Sequence, residues 1–232
     1  MKIDPKLIHV KFVKRYKRFF TDIILNKKKI TVHCPNSGSM LGLLNEKNDA
    51  WVSKSDNPNR KLKFTLEIIN DKKSNVGVNT HRANRIVEEA LEMKKITELK
   101  KFNSIKREAK FTKDTRFDFF LENENKKGFL EVKNVTLSRK KGVAEFPDAV
   151  TKRGKKHLVH LQDAIKKSYE SYLLFLIQRE DIKCMKIAKD IDFEYYNEIK
   201  IAKKNGVNII AYDCKVKNNE IILKNKIKID LS

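Results

Sequence analysis

The first 80 residues alternate short apolar segments with polar turns. Turn-forming residues, among them Pro35, Gly38 and Pro58, separate runs that are rich in β-branched and aromatic side chains. The predicted strands cover residues 10–20, 21–25, 30–34, 50–53 and 63–69. Five short strands in a segment of this length predict a small β-barrel of the oligonucleotide/oligosaccharide-binding (OB) type.

After residue 80 the apolar spacing becomes that of helices alternating with strands. Five apolar residues from Ala83 to Leu91 recur with helical spacing, which predicts a helix over residues 81–100 with Thr80 as its cap. The other predicted elements are a strand at 104–111, a hairpin at 116–133, a helix capped by Asp148 that ends near 167, a strand at 171–178, a helix at 193–205 and a strand at 207–212. The order predicts a mixed α/β domain of three layers over residues 81–232, following an OB-like domain over residues 1–80.

The predicted hairpin carries the most informative charges in the chain. It reads RFDFFLENENKKGFLEVK from residue 116 to residue 133. Side chains alternate along a strand, so Glu131 and Lys133 lie on one face, and Asp118 of the partner strand can lie beside them. A largely buried sheet seldom holds Asp, Glu and Lys together unless they pair or bind a metal.

These three residues are suited to metal-dependent hydrolysis of a phosphodiester bond. Mg²⁺ or Mn²⁺ prefers oxygen ligands, which the carboxylates of Asp118 and Glu131 and the carbonyl of Val132 can supply. Lys133 would orient or deprotonate the attacking water. We therefore predict Asp118, Glu131 and Lys133 as catalytic residues. The alternative is an ordinary ion pair at a strand edge, because Glu and Lys are common in this chain.

Two glutamates on the preceding helix could add a metal ligand. Glu88 and Glu89 both flank its apolar stripe. Helical periodicity does not choose between them, and a solvated helix face explains both equally well.

The net charge of the chain is +22, from 52 basic and 30 acidic side chains. Such a charge favours a polyanionic partner, most simply nucleic acid, although the bias of an AT-rich coding sequence towards lysine is an alternative explanation. Basic and aromatic residues also interleave in KFVKRYKRFF at 11–20, a mixture that can contact phosphates and stack on bases. The candidate DNA-binding residues are Lys14, Arg15, Lys17, Arg18, Arg60, Arg153, Lys155 and His157.

Several other functions are disfavoured by what the sequence lacks. It contains no P-loop, dinucleotide-binding, zincin or nucleophile-elbow motif. It has no apolar run long enough to span a bilayer and no signal-peptide core, and its three cysteines are too sparse for a disulfide framework. We expect a cytoplasmic protein without a membrane partner. A sugar-binding role has little support, since the chain has one tryptophan.

The segment from residue 81 resembles the PD-(D/E)xK nucleases in its element order, with Phe117 in place of the name-giving proline. Nearly the whole chain also resembles the sugar fermentation stimulation protein A (SfsA) family. The matching stretches are VKRYKRFF (13–20), TVHCPNSGSMLGL (31–43), SKSDNPNRKLKFTLE (53–67), GVNTHRAN (77–84), RFDFFL (116–121), FLEVKNVTL (129–137), FPDAVTKRGKKHL (146–158) and GVNIIAY (206–212).

The resemblance implies an OB-like domain followed by a PD-(D/E)xK nuclease-like domain, DNA binding and a regulatory link to sugar utilisation. By the family pattern, Asp118, Glu131 and Lys133 take the catalytic positions, and Glu89 rather than Glu88 is the matching helix residue. We expect a Mg²⁺-dependent nuclease that acts on DNA rather than RNA. The alternative is a non-catalytic DNA-binding regulator of sugar-utilisation genes. The sequence does not distinguish a monomer from a homodimer.

Overall fold

The first six strands form one curled sheet in the computed structural model, which describes residues 1–3 and 6–231. These strands are β1 (Ile8–Tyr16), β2 (Phe20–Leu25), β3 (Lys28–His33), β4 (Asp49–Lys54), β5 (Phe64–Asn70) and β6 (Asn75–Gly77). Their order is β3-β2-β1-β4-β5-β6, and a parallel bridge between His33 and Thr65 joins β3 to β5. This bridge closes a five-stranded barrel, whose interior is filled by apolar side chains such as Phe12, Val32 and Leu66.

The rest of the chain forms a second, mixed α/β unit. In chain order its elements are α1 (Ala83–Glu92), β7 (Ser104–Thr112), β8 (Thr115–Glu122), β9 (Lys127–Val135), β10 (Leu137–Lys140), β11 (Val143–Phe146), α2 (Lys152–Lys166), β12 (Glu170–Ile177), β13 (Cys184–Ile187), α3 (Phe193–Lys204), β14 (Asn208–Lys217), β15 (Glu220–Lys226) and β16 (Lys228–Asp230).

A central sheet of order β15-β14-β12-β9-β8-β7 divides this unit into layers. Strand β12 runs parallel to both β9 and β14, while β7, β8 and β9 form an antiparallel meander. Helix α1 packs on one face, and α2 and α3 pack on the other. The predicted fold class, an OB-like barrel followed by a three-layer αβββαβ unit, is therefore confirmed.

The barrel packs directly against the second unit. Ile68 of β5 belongs to the apolar cluster that α1 forms with the central sheet. Polar contacts reinforce this interface: the N–H of Gly77 donates to the carbonyl of Gln178 at 2.9 Å, and the buried Arg179 pairs with Asp71 at 2.9 Å. Loops of the barrel are thereby held beside the central sheet.

A second, smaller sheet of order β10-β11-β13-β16 was not predicted. No element was predicted between the hairpin at 116–133 and the following helix, but Leu137–Lys140 is strand β10 and Val143–Phe146 is strand β11. Three of these strands are joined by parallel pairing between segments far apart in the chain, β11 with β13 and β13 with β16. Short strands with distant partners have little periodic signal of their own.

Several predicted boundaries and caps were wrong. The cap before α1 is not Thr80, since the side chain of Asn79 accepts from the His81 N–H and α1 begins at Ala83. The first predicted strand breaks at Lys17 and Arg18, which have positive φ angles and form the turn between β1 and β2. Helix α1 ends at Glu92 rather than near residue 100. The cap of α2 is Thr151, whose side chain accepts from the Gly154 N–H, and not Asp148. Within the described part of the chain, no helix is long and apolar enough to cross a membrane.

Candidate active site

Strand β8 is irregular at Asp118. Phe119 packs in the α1 cluster, whereas Phe117 packs in the cluster of α2 and α3, although alternate residues of a regular strand share a face. On the neighbouring strand β7, Glu108 lies between the partners of these two residues and has a φ angle of 51°. The pairing of β8 with β9 also ends at Phe119 and Leu130. The strands therefore separate next to Asp118.

The carboxylate of Asp118 fills the opening between the two strands. Its Oδ2 accepts a hydrogen bond from the backbone N–H of Val132 at 2.7 Å, and its Oδ1 accepts one from Nδ2 of Asn84 at 2.7 Å. The N–H and C=O groups of one strand residue point to the same side, so the Val132 carbonyl is directed towards β8 as well. Asp118 and the Val132 carbonyl thus face one space.

Glu131 lies on the face of β9 that meets α2, and it is 3% exposed. Its Oε1 accepts from Nζ of Lys133 at 2.7 Å and contacts Nδ1 of His157. Nζ of Lys133 and Nδ1 of His157 are themselves 3.3 Å apart. The other carboxylate oxygen, Oε2, is buried and has no hydrogen-bond partner within the described residues. A buried acceptor without a partner is costly, so this oxygen is suited to a cation.

The two carboxyl groups have opposite pKa shifts. Burial raises the pKa of Asp118 to about 6, and the charge of nearby Glu131 adds to this shift. Burial opposes ionisation of Glu131 too, but Lys133 and His157 outweigh it and hold the pKa of Glu131 below its ordinary value. Two buried carboxyl groups that disfavour each other's charge are a frequent feature of functional sites.

The residues present fit a divalent cation such as Mg²⁺. Asp118, the unpartnered Oε2 of Glu131 and the Val132 carbonyl are oxygen ligands of the kind it prefers. No cluster of three or more His, Cys, Asp or Glu side chains suited to a metal occurs within residues 1–3 and 6–231. Mg²⁺ usually retains several waters and needs only one or two carboxylates, so two acidic side chains suffice.

Glu89 lies away from Asp118 and Glu131, contrary to its predicted role as a metal ligand. Its Oε1 accepts from the amino group of Met1 at 2.6 Å. Glu88 pairs with Arg107 at 3.2 Å. The α1 residue that reaches the site is Asn84, and Glu89 is five residues further on, about 140° around the helix. Asn84 was missed because an amide in the first turn of a helix has no distinctive sequence signal.

Asp118 lies where two clefts meet. The first, here called the site cleft, has a volume of about 400 Å³ and is lined by residues 36–38, by Asn84 and by the loop at 145–151, as well as by Asp118, Glu131 and Lys133. The second, the basic cleft, has a volume of about 490 Å³. Its lining comprises Glu108, Lys113, Asp114, Thr115, Arg116, Asp118, Arg153, Lys156 and His157. Asp118 is therefore accessible from two sides, whereas Glu131 borders the site cleft alone.

Two of the predicted DNA-binding residues lie at the site itself. Arg153 lines both clefts, and its Nε donates to Nε2 of His157 at 3.3 Å. His157 is 6% exposed and contacts Glu131, so its position is that of an internal partner of the carboxylate. The predicted DNA-binding role of His157 requires an exposed side chain, which the packing of α2 against β9 does not leave it.

The other predicted DNA-binding residues are distributed over the surface. Lys14, Lys17 and Arg18 are exposed at the β1–β2 turn. Lys155 pairs with Glu194 at 3.0 Å, on the outer side of α2. Arg60 contacts His33 at 3.2 Å and Thr65 at 2.8 Å, on the barrel.

Arg15 has a structural role in addition to its charge. Its guanidinium donates to the backbone carbonyls of Asn36 at 2.6 Å, Gly38 at 2.9 Å and Ser39 at 3.2 Å. It therefore fixes the barrel loop that forms one wall of the site cleft.

Comparison with known proteins gives the same two-part division. The model described as "SfsA N-terminal OB domain" matches residues 13–78, and the model described as "Sugar fermentation stimulation protein RE domain" matches residues 81–220. The chain belongs to the sugar fermentation stimulation protein (SfsA) family. The resemblance stated from the sequence is thereby confirmed.

Relatives in this family match along their full length. A sugar fermentation stimulation protein homolog of Pelagibacter ubique (strain HTCC1062) is 56% identical over 229 residues, which cover 99% of both chains. The homolog of Agrobacterium fabrum (strain C58 / ATCC 33970) is 40% identical and covers 99% of this chain and 97% of its own. The solved structure of Pyrococcus furiosus SfsA in complex with Ca²⁺ matches with a TM-score of 0.90 at 21% identity, covering 99% of this chain and 98% of the other. That likeness extends to the fold.

Proposed function

We propose that this protein is a divalent-metal-dependent nuclease that hydrolyses phosphodiester bonds in DNA. The observation that carries the proposal is the unpartnered, buried Oε2 of Glu131 beside the carboxylate of Asp118, at the junction of two open clefts. The net charge of +22 supports a polyanionic substrate. The Pyrococcus furiosus relative was solved in complex with Ca²⁺, which supports a divalent cation in this fold.

Some groups of the site would be metal ligands, and others would position those ligands. Asp118, Glu131 and the Val132 carbonyl would hold Mg²⁺ or Mn²⁺, which when bound neutralises charge on the phosphate and lowers the pKa of a bound water. Asn84 and the Val132 N–H fix the orientation of the Asp118 carboxylate. Such positioning by neighbouring groups maintains the reactive geometry.

Lys133 would contribute the positive charge nearest to the reacting phosphate. Its ammonium lies 2.7 Å from Oε1 of Glu131 and 3.3 Å from Nδ1 of His157, and its side chain is 13% exposed. This arrangement holds the amine at the edge of the site cleft, where it can orient an attacking water or stabilise charge that develops on the phosphate. His157 would act through Glu131 and Lys133 as a positioning residue.

A DNA-binding protein that does not cut, including a regulator of sugar-utilisation genes, is the second candidate function. The basic cleft and the net charge favour it as much as they favour a nuclease. The buried Oε2 of Glu131 favours the nuclease, because phosphate binding alone does not call for two carboxylates in the cleft.

The test is cleavage of labelled single-stranded and duplex DNA by the purified protein in Mg²⁺, Mn²⁺ or EDTA. We expect cleavage that requires the metal and is lost in Glu131→Gln and in Lys133→Met. Glu122→Gln is the matched control, since Glu122 lies on the same hairpin and pairs with Lys127 away from the site. Cleavage retained by both site variants would overturn the assignment. Metal-independent binding without any cleavage would favour the second function.

A further inference from the structure

A third cleft extends the site towards the barrel. This cleft, here called the turn cleft, has a volume of about 370 Å³ and is lined by residues 15–18 and 37–39 with Leu44 and Ala149. It shares Ser37, Gly38 and Ala149 with the site cleft. The site cleft in turn shares Asp118 and Arg153 with the basic cleft. The three clefts therefore form one continuous track with the carboxylates in its middle.

At the barrel end of this track the Tyr16 ring lines the turn cleft among cations, and Phe20 adjoins the cleft through its contact with Tyr16. Tyr16 and Phe20 are stacked, with ring centroids 5.7 Å apart and an angle of 17° between the rings. Phe19 and Phe20 are 45% and 36% exposed. The ammonium of Lys14 lies 5.7 Å from the Tyr16 ring centroid. Isolated exposed aromatic residues are ordinary, but adjacent rings flanked by cations are the arrangement on which unpaired bases stack.

The opposite end of the track has a different character. The basic cleft presents the exposed side chains of Lys113, Arg116, Arg153 and Lys156, against the three acids Glu108, Asp114 and Asp118. Among the described residues that line it there is no Phe, Tyr or Trp, and its one ring, that of His157, is buried. This end can contact phosphates but offers no exposed ring on which a base could stack.

The loop between the two ends is held from both sides. Arg15 donates to three of its carbonyls, as described above. Asp148, from the loop before α2, accepts from the backbone N–H of Met40 at 3.0 Å, and its own carbonyl accepts from Oγ of Ser39 at 2.7 Å. The barrel loop is thus bonded to the second unit, so the stacking rings and the carboxylates are parts of one surface.

We propose that this track binds single-stranded nucleic acid, with bases on one side of the site stacked on Phe20 and Tyr16 and phosphates on the other side held in the basic cleft. The binding stands on the geometry of the clefts, and only the placing of the scissile phosphate between them rests on the proposed nuclease function. In a duplex the bases already stack on each other, so the rings at the barrel end would have no free partner.

The test measures binding without cleavage, by fluorescence anisotropy in EDTA with the Glu131→Gln protein. The probes are a labelled single strand of about 20 nucleotides, as DNA and as RNA, and the same sequence as a DNA duplex. We expect the single strand to bind more tightly than the duplex. Phe20→Leu keeps an apolar side chain but removes the ring, and it should weaken single-strand binding about 5- to 100-fold. Phe193→Leu, at a 63% exposed ring outside the track, is the matched control.

Salt dependence separates the two ends of the track. Phe20→Leu should leave the slope of log affinity against log salt unchanged, because it removes no phosphate contact. Arg116→Gln and Lys156→Gln should each reduce that slope by about 0.7. Tyr16→Leu provides a second aromatic variant, at the ring that lines the turn cleft, if Phe20→Leu fails to fold by circular dichroism.

Equal binding of duplex and single strand, or single-strand binding unaffected by the folded aromatic variant, would overturn the track proposal. The nuclease proposal can fail independently: this binding pattern without metal-dependent cleavage by the wild-type protein would remove the nuclease and leave the track.

Discussion

The carboxylate of Asp118 takes the place of strand backbone by accepting the N–H of Val132 at 2.7 Å. This bond lies where the pairing of β8 and β9 ends, so it both terminates the ladder and orients the carboxylate. The other oxygen of Asp118, Oδ1, accepts a hydrogen bond from the side chain of Asn84. The consequence is a carboxylate that is fixed in place although burial and Glu131 disfavour its charge.

We predict that Asp118→Asn removes the response to metal without destabilising the metal-free protein. An asparagine at this position can accept from Val132 with its carbonyl oxygen and donate to the oxygen of a rotated Asn84 amide. It also removes one of two like charges in a buried site, so the metal-free melting temperature should stay constant or rise. Thermal melting with and without Mg²⁺, Mn²⁺ or Ca²⁺ measures both effects.

The wild-type protein should gain stability as the cation concentration rises above its dissociation constant, by about 2.7 kcal/mol at a hundredfold excess. The same titration of Asp118→Asn should give no shift. A metal-induced shift of equal size in both proteins would place the cation elsewhere.

Glu131→Gln should differ from Asp118→Asn in its effect on stability. The Glu131 carboxylate is the shared acceptor of Lys133 and His157, and its removal leaves the partly buried Lys133 ammonium without its counter-charge. We expect a loss of about 1–3 kcal/mol in the free energy of unfolding, measured by urea denaturation. Adding Lys133→Met to Glu131→Gln should recover part of this loss, because the unpaired charge is then absent. Full additivity of the two substitutions would argue against the coupling.

The features that could be predicted from the sequence are those that local periodicity encodes. Alternation along β8 and β9 placed Glu131 and Lys133 on one face with Asp118 near them. Turn residues divided the first 80 positions into the strands of the barrel. The fold follows from this order, since an αβββαβ sequence of elements leaves few topologies open.

What could not be predicted depends on contacts between distant segments. Glu89 was assigned to the site, but its position on α1 turns it to the amino group of Met1, 88 residues away. His157 was predicted to bind DNA, but α2 packs it onto Glu131, 26 residues away. Asp148 was assigned as a helix cap, yet it binds the N–H of Met40 in the barrel. Periodicity shows on which face of a helix or strand a side chain lies, but it does not show which distant segment packs against that face.

The contrast between Asn84 and Glu89 gives a prediction on one helix. Asn84→Ala removes the donor to Oδ1 of Asp118, so it should lower metal affinity about 10- to 100-fold, as is usual for residues that orient a ligand. Glu89→Gln should leave metal affinity unchanged, because its carboxylate bonds to Met1. Metal-dependent thermal shifts of the two variants compare them directly. A large loss in Glu89→Gln with none in Asn84→Ala would reverse the assignment made from the geometry.

Gly38 and Asp148 should be energetically coupled across the wall of the site cleft. A Cβ added at Gly38 would lie 2.6 Å from Oδ1 of Asp148 and closer still to its Oδ2, so the Asp148 carboxylate must move away from the Met40 N–H. Gly38→Ala should therefore cost about 1 kcal/mol of stability, the value of the lost hydrogen bond. Asp148→Ala should cost a similar amount because it removes the same bond.

The double variant Gly38→Ala/Asp148→Ala should lose less than the sum of the single losses by about 1 kcal/mol, because the bond is broken only once and the alanine at residue 38 no longer meets the carboxylate. Urea unfolding of the four proteins completes the cycle. Strict additivity would show that Gly38→Ala does not act through the Asp148 carboxylate. Because Gly38 lines both the turn cleft and the site cleft, Gly38→Ala should also weaken single-strand binding, whereas Asp163→Ala, at an exposed ion pair on α2, should not.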